Sequence, residues 1–164
     1  MYDFAVLVVL YNCKPFDSVT VKSLLKNWPA TSNTKFIFWN NGPVSQPLDV
    51  KELNELDVEM VESLHNESLA KIYNQFIETV HANVYVVLDH DSDVSPQYIA
   101  ALSTVTPEQC AFPVILNGSK ATGPLVNGTT VNKPTSLTYN DTLLAIGSGV
   151  IIGSSIANTI KTAY

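Results

Sequence analysis

At residues 84–93 the chain reads Val-Tyr-Val-Val-Leu-Asp-His-Asp-Ser-Asp, so that a run of apolar residues ends abruptly in alternating carboxylates. The apolar part has the composition of a strand that is buried on both faces of a sheet. Because side chains alternate along a strand, we expect Asp89 and Asp91 on the same side, where the strand meets solvent. The stretch therefore predicts a buried strand that presents two neighbouring carboxylates to one site.

Two adjacent carboxylates are typical of a divalent cation site. Unpaired, they repel each other, and the repulsion drives one of them toward protonation. Mg²⁺ or Mn²⁺ relieves this repulsion and takes phosphate oxygens as further ligands. An ordinary acidic turn is the alternative, because Asp and Ser are also common turn residues. The metal interpretation assigns Asp89 and Asp91 as ligands, with His90 either facing a bound phosphate or sugar or pointing into the sheet.

Strand-like and helix-like segments alternate along the chain, which is typical of a doubly wound α/β fold with a mostly parallel sheet. Besides the strand that ends at Leu88, the predicted strands are Phe4–Leu10, Phe36–Trp39, Val58–Val61, Cys110–Leu116 and a glycine-interrupted one at Leu143–Gly153. The predicted helices run from Asp17 or Ser18 to Trp28, from Asn66 or Ser68 to Val80, from Ser95 and Pro96 through Leu102, and over Ser154–Ala163. Hairpins are expected between Asn117 and Asn132, because Gly, Asn and Thr dominate there.

Composition limits the classes of ligand. The formal charge of −6 argues against a nucleic-acid partner, which normally faces a basic surface. All nine basic residues are lysines, so an anionic ligand is expected to be held by a metal, Lys, backbone N–H groups or helix N-termini rather than by an arginine fork. The first apolar run is too short to span a membrane, it has no basic segment before it, and the two cysteines form no disulfide framework. These features predict a cytoplasmic protein without a transmembrane segment.

Polar residues follow three of the predicted strands. They are Tyr11–Asn12, Asn40–Gly42 and Asp89–Asp91. In a doubly wound sheet, ligands bind at the carboxyl ends of the strands. The three polar segments are therefore expected to meet at one binding site.

Taken in order, these segments resemble those of family 2 glycosyltransferases, which have the nucleotide-diphosphosugar transferase (GT-A) fold. The resemblance covers about residues 4–103. It is carried by Val-Val-Leu-Tyr-Asn at 8–12, Asn-Asn-Gly at 40–42, Asn-Glu-Ser-Leu-Ala-Lys-Ile-Tyr-Asn-Gln-Phe-Ile at 66–77 and Leu-Asp-His-Asp-Ser at 88–92. The last of these resembles the family's Asp-x-Asp motif, in a form similar to the rhamnosyltransferase-like branch. Residues 147–152 loosely resemble the Ser-Gly strand of the acceptor side.

The resemblance implies transfer of a sugar from a nucleotide-diphosphate donor to a saccharide or lipid-linked acceptor, in polysaccharide or cell-surface glycan synthesis, with Mg²⁺ or Mn²⁺ and a possible peripheral contact with the membrane. It implies that Tyr11 packs against the nucleotide base with Asn12 beside it. Asp89 would face the ribose or the metal, and Asp91 would bind the metal on the diphosphate. Such a metal neutralises the charge that grows on the leaving group as the sugar bond breaks.

Three further positions complete the expected donor site. Asn40 stands where many relatives have an Asp that recognises the base, and Asn41 follows it. An amide can donate and accept hydrogen bonds but carries no charge, so base recognition is expected to differ. Lys71 either adds a positive charge near the diphosphate or is simply a solvated residue on a helix face.

The resemblance does not extend to the residue that acts as general base in the family. Inverting members use a downstream Asp or Glu to deprotonate the acceptor, and this chain ends just after the Ser-Gly strand. Asp141 is the only late carboxylate, and it is interpreted as a turn residue. We therefore expect a single domain, 1–164, with a nucleotide-sugar-binding half at 1–103 and a partial acceptor-side half at 104–164, truncated on the acceptor side.

Other functions remain open at the level of the sequence. The alternative is a non-catalytic nucleotide-sugar-binding module or a fragment that lacks the base. A phosphatase of the haloacid dehalogenase type would place its Asp-x-Asp after the first strand, with a later lysine and an acidic pair. A structural α/β module with an acidic turn would explain the composition but not the ordered polar strand ends.

Overall fold

In the computed structural model, residues 1–48, 53, 56–138 and 140–161 are described. Their strands are β1 (Tyr2–Leu10), β2 (Thr34–Asn40), β3 (Asp57–Glu62), β4 (Ala82–Asp89), β5 (Cys110–Ala111), β6 (Ile115–Asn117), β7 (Lys120–Gly123), β8 (Leu125–Val126), β9 (Thr129–Thr130), β10 (Leu143–Leu144) and β11 (Val150–Gly153). Their helices are α1 (Val19–Asn27), α2 (Leu69–Thr79), α3 (Pro96–Leu102) and α4 (Ser154–Lys161), with a short 3₁₀ turn at Pro15–Asp17.

A six-stranded sheet in the order β3-β2-β1-β4-β11-β5 forms the centre of the structure. Its first four strands are parallel, and β11 and β5 add to one side in antiparallel orientation. In the register of the parallel strands, Leu10 pairs with Asn40, and Val9 pairs with Asp89. The carboxyl ends of β1, β2 and β4 therefore lie side by side.

Helices cover both faces of this sheet. On one face, Val6, Val8 and Leu10 of β1 pack in a core with residues of α1 and α3. On the other face, the intervening residues of β1 pack with residues of α2 and α4. Both sides of β1 are buried, which explains why its sequence is continuously apolar. The predicted doubly wound, mostly parallel α/β fold is confirmed.

Serine side chains begin three of the helices, as the sequence predicts. Ser18 Oγ accepts a hydrogen bond from the Val21 N–H at 3.1 Å. Ser68 and Ser95 cap α2 and α3 in the same way, and Pro96 occupies the first turn of α3. Each cap satisfies an N–H group that has no partner inside its helix. These caps set where the helices begin relative to the strand ends.

The second half corrects two predictions. The expected strand Cys110–Leu116 is two short strands, β5 and β6, in different sheets. The expected strand Leu143–Gly153 is also divided: β10 pairs with β8, whereas β11 pairs with β4. Residues 145–149 separate them, and Gly149, with a φ of +85°, lies in the turn just before β11. The expected hairpins between Asn117 and Asn132 are present as β6–β7 and β8–β9.

Gly153 meets another part of the backbone, as expected for a glycine inside a strand. A Cβ at this position would lie 2.3 Å from the Pro107 carbonyl oxygen.

The last helix, α4, begins directly after β11. The sequence predicts that it extends to Ala163, but Thr162 and Ala163 lie outside the described residues. Within the described chain, no helix has the length and apolar character needed to cross a bilayer.

Candidate functional site

The carboxyl ends of the parallel strands border a cleft of about 330 Å³. Its walls include Tyr11, which follows β1, and the acidic pair Asp89 and Asp91, which ends and follows β4. Glu67, which precedes α2, and Leu69, its first residue, also line the cleft. The register of the sheet therefore brings together residues that are far apart in the sequence.

Asp89 and Asp91 both line this cleft, with one residue between them in the sequence. Asp89 is half-buried and Asp91 is exposed. Burial raises the pKa of Asp89, and the negative charge of Asp91 raises it further. Such a pair is destabilised when both carboxyls are ionised, so a cation between them is favourable.

Two buried hydroxyl groups hold the turn that carries these acids. Thr20 Oγ1 donates to the Asp89 carbonyl oxygen and accepts from the Ser92 N–H at 2.9 Å. Ser148 Oγ accepts from the Asp89 N–H at 3.0 Å and forms a hydrogen bond with Ser92 Oγ at 2.6 Å. Thr20 belongs to α1, whereas Ser148 lies just before β11. The turn is thus fastened from two sides.

His90 lies between the acids and also lines the cleft. Its side chain is half-buried, and its backbone carbonyl accepts from Ser18 Oγ at 2.7 Å. Ser18 therefore both caps α1 and ties that helix to the acidic turn. His90 therefore borders the cleft, and its contact with a phosphate or sugar stays a prediction.

Asn41 lines the cleft but uses its side chain within the protein. Its Oδ1 accepts from the Glu67 N–H at 2.7 Å and from Ser63 Oγ at 2.9 Å. Its Nδ2 donates to the Glu67 carbonyl at 2.9 Å and to Asn66 Oδ1 at 3.1 Å. Asn41 is buried, so these bonds fix the segment before α2 against the sheet.

Asn40 is fully buried and lies behind the cleft rather than on its wall. Its Nδ2 donates to Glu62 Oε1 and to the Val44 carbonyl, each at 2.8 Å, and its Oδ1 accepts from the Gly42 N–H at 3.0 Å. This network closes the turn at Gly42, whose φ is +98°. A Cβ at Gly42 would lie 2.5 Å from the Leu64 carbonyl oxygen, so only glycine fits there.

Asn12 and Tyr11 end β1 at the surface. Asn12 has a φ of +49°, and its N–H donates to the Gly42 carbonyl at 2.7 Å. Asn12 is exposed, and it is not among the residues that line the cleft. Tyr11 is 47% exposed and lines the cleft.

Solved structures were compared with this fold. The structure is similar to that of TarS. A crystal structure of S. aureus TarS 1–349 has 17% sequence identity and a TM-score of 0.47, covering 62% of this chain and 31% of that one. The same fragment in complex with UDP-GlcNAc has 17% identity and a TM-score of 0.47, covering 62% and 30%. A further S. aureus TarS structure has 18% identity and a TM-score of 0.43, covering 62% and 19%.

This chain thus spans about a third or less of the TarS chains to which it is similar. No family model matches the sequence, and no curated protein matches it. Identities and TM-scores at this level assign no function.

The acidic pair fits a divalent cation that shares its coordination with a ligand. Among the described residues, no group of three or more His, Cys, Asp and Glu side chains is arranged to hold a metal ion. Asp89 and Asp91 supply carboxylate oxygens, the donors that Mg²⁺ prefers, and Mg²⁺ commonly binds through one or two carboxylates plus substrate phosphates. The two acids therefore suit a metal whose remaining ligands come from a bound phosphate and water.

Lys71 does not itself line the cleft, but it forms an ion pair with Glu67, which does. The two side chains form an i,i+4 ion pair, and Lys71 borders a neighbouring surface groove. His65 also pairs with Glu67, with 3.2 Å between Nε2 and Oε2. Lys71, the Ser68 N–H and His65 lower the pKa of Glu67 to about 2. Glu67 thus stays ionised in the wall of the cleft.

We expect Glu67→Gln to alter the pH dependence of stability. The folded-state pKa of Glu67 lies below its ordinary value of 4.5, so the ionised carboxylate stabilises the fold above that pH. This contribution is lost as pH falls toward 2. The urea midpoint of Glu67→Gln should therefore lie below that of the wild type at pH 6, and the two should converge near pH 2.

Urea unfolding at several pH values measures this difference. Glu108→Gln is the control, because Glu108 is exposed and forms no ion pair within the described chain. A midpoint difference for Glu67→Gln that is the same at pH 6 and pH 2 would contradict the assigned ion pairs.

Several residues at or near the cleft are not predicted as site residues by the sequence, among them Thr20, Glu67, Tyr73 and Ser148. Ser148 had a local signal, because glycines flank it at 147 and 149. Glu67 lies in the segment 66–77, which resembles that of family 2 glycosyltransferases, but no role was assigned to it there. Thr20 had no local signal in the sequence, since its contact with the acidic turn depends on where α1 packs. Asp141, by contrast, is a turn residue as predicted, with Oδ2 accepting from Thr138.

Proposed function

We propose that this chain is a glycosyltransferase-type domain that binds a nucleoside diphosphate sugar at the cleft, with Mg²⁺ or Mn²⁺ held by Asp89 and Asp91. The observation that carries the proposal is the position of this acidic pair, at the carboxyl end of β4 and in one cleft with Tyr11. Ligands bind doubly wound sheets at this end. The order of strand-end residues that resembles family 2 glycosyltransferases supports the same assignment.

The charges of the cleft support metal dependence. Glu67, Asp89 and Asp91 line it, the chain has no arginine, and Lys71 is paired with Glu67. A diphosphate that entered this cleft alone would meet like charges. A bound Mg²⁺ or Mn²⁺ would neutralise the diphosphate as a leaving group. Nucleotide affinity is therefore expected to depend on the cation.

The cleft residues have distinct proposed roles. Tyr11 stacks on the nucleotide base, with Asn12 beside it. Asp91 binds the metal, and Asp89 binds the metal or the ribose. His90 contacts a phosphate or the sugar. Apart from that of His90, these are the roles that the resemblance to family 2 glycosyltransferases implies, and they are supported by the places of Tyr11, Asp89, His90 and Asp91 around one cleft.

Asn40, Asn41 and Lys71 act indirectly in this proposal. Asn40 and Asn41 are saturated with internal hydrogen bonds, so they shape the turn and the wall rather than read the base. Lys71 keeps Glu67 ionised and in place. This assignment replaces the direct contacts that the sequence suggested for the three residues.

The proposed reaction is transfer of a hexosyl or rhamnosyl group to a saccharide or lipid-linked acceptor in polysaccharide or cell-surface glycan synthesis, by a cytoplasmic protein in peripheral contact with the membrane. The Leu-Asp-x-Asp-Ser form at residues 88–92 supports the rhamnosyl option. Residues 104–164 form the proposed acceptor-side half of one domain, and 1–103 form the donor half.

A non-catalytic nucleotide-sugar-binding module is the second candidate. The state of Asp141 favours it, because this late carboxylate accepts hydrogen bonds from Asn127 Nδ2 and from the Thr138 N–H, each at 2.7 Å, and does not line the cleft. It is thus unsuited to act as the general base. Release of free sugar from the donor, or its transfer, by this 164-residue chain would exclude the binding-only function.

Calorimetric titration tests the proposal directly. UDP, dTDP and GDP are titrated into the protein with Mn²⁺, and again with EDTA. We expect one nucleotide to bind with Mn²⁺ and to lose at least tenfold in affinity with EDTA. Lack of binding by all three with Mn²⁺, or equal binding with EDTA, would reject the metal-dependent donor site.

A further inference from the structure

Tyr73 lies where the wall of the cleft continues along α2. It follows Leu69, which lines the cleft, by four residues. Residues four apart share one face of a helix and are separated by about 6 Å along its axis. Tyr73 therefore extends the Leu69 wall by one helical turn.

The ring of Tyr73 packs against the core, but its hydroxyl forms no hydrogen bond with the described residues. The ring is half-buried and packs against the core that contains Ile72, Phe76 and Val87. Among the described residues the hydroxyl has no hydrogen-bond partner, whereas the comparable hydroxyl of Tyr98 donates to the Gly149 carbonyl at 2.9 Å. Partly buried phenols normally use their hydroxyl. The Tyr73 hydroxyl is thus available to a ligand.

Two neighbours show where this hydroxyl lies. A Cβ placed on Gly147 would be 3.5 Å from the Tyr73 oxygen, so the glycine leaves room beside it. The Asp89 carboxylate is near enough for its charge to act on the phenol. Gly147 also precedes Ser148, which holds the Asp89 N–H. The hydroxyl therefore stands near Asp89, just beyond the residues that line the cleft and next to the turn before β11.

We infer that the Tyr73 hydroxyl hydrogen-bonds the sugar of the bound nucleotide-sugar and so contributes to donor selection. This inference rests on the proposed function, which puts the diphosphate at Asp89 and Asp91. The sugar is attached to the far phosphate, so it extends from the acidic pair away from the base at Tyr11. The space between Tyr73 and Gly147 adjoins that pair. A neutral phenol suits sugar hydroxyl groups, because it both donates and accepts.

The test compares nucleotide-sugars with their free nucleotides. UDP-glucose, dTDP-rhamnose and GDP-mannose, each beside its nucleoside diphosphate, are titrated with Mn²⁺ into the wild type and Tyr73→Phe. We expect Tyr73→Phe to weaken the preferred nucleotide-sugar about fivefold and to leave the free nucleotide unchanged, since one neutral hydrogen bond is lost. Gly147→Ala, which fills the space beside the hydroxyl, should weaken the same ligand selectively.

Tyr98→Phe is the matched control, because it removes a phenol hydroxyl that is already paired within the protein. It should lower thermal stability without a selective loss of nucleotide-sugar affinity. Unchanged nucleotide-sugar affinity in Tyr73→Phe, with nucleotide binding intact, would overturn the sugar contact alone. If neither ligand binds the wild type, the proposed function fails and the sugar contact with it.

Discussion

Asp91→Asn should lower Mn²⁺-dependent nucleotide affinity about 100-fold while leaving the free protein as stable as the wild type, or slightly more so. The loss is expected because an amide oxygen is a much weaker ligand for a hard cation than a carboxylate. The stability should not fall, because the charge of Asp91 raises the pKa of Asp89 and its removal relieves that repulsion. Titration calorimetry and thermal unfolding measure the two effects separately.

Asp93→Asn is the matched control for this prediction. Asp93 is an exposed acid two residues further along the same turn, and it does not line the cleft. The control changes the net charge equally, so a general electrostatic effect would appear in both variants. Equal nucleotide affinity in Asp91→Asn and the wild type would remove the metal-ligand assignment.

Thr20→Val is expected to have the second largest effect, on both stability and affinity. The change keeps the shape of a fully buried side chain but leaves the Asp89 carbonyl and the Ser92 N–H without their partner. Buried backbone groups left unpaired should lower the free energy of unfolding by about 2 kcal/mol. Loss of support behind a metal ligand should also weaken metal-dependent nucleotide binding about tenfold.

Thr34→Val separates these two effects. Thr34 is also buried, and its Oγ1 accepts from Trp28 Nε1 at 3.2 Å and bonds Ser32 Oγ at 2.6 Å. It begins β2, at the opposite end of that strand from Asn40. We expect a similar loss in urea unfolding free energy but unchanged nucleotide affinity. If the two variants bind nucleotide equally well, Thr20 only stabilises the fold and does not position the acidic turn.

The first half of the fold was predictable because its signals are local. Continuous apolar runs identify strands buried on both faces, and serines followed by helical periodicity identify helix starts. The second half was predicted less well. Its strands are only two to four residues long, and the segment Leu143–Gly153 crosses from one sheet to another over residues 145–149. The glycines at 147 and 149 signal an interruption, but a glycine inside a strand is also compatible with continued pairing, so composition does not show that the two parts belong to different sheets.

Part of the site was predictable because its signals, too, are local in the sequence. Asp89 and Asp91 are recognisable because alternation along one strand places them together. Asn40 and Asn41 also stood out, but as ligand contacts, and the structure shows their amides engaged with the protein. A sequence identifies a polar side chain at a strand end without showing whether another loop has already satisfied it.

The sequence by itself determined the central strands, the helix caps and the presence of an acidic pair at one strand end, since each depends on neighbours within a few residues. Only the tertiary structure decided what surrounds that pair. Thr20 and Ser148 reach the acidic turn from positions 69 and 59 residues away from Asp89. Such contacts depend on how the helices and the antiparallel strand pack on the sheet. Hydrogen bonds need groups within about 3 Å, and no local pattern encodes that distance across the fold.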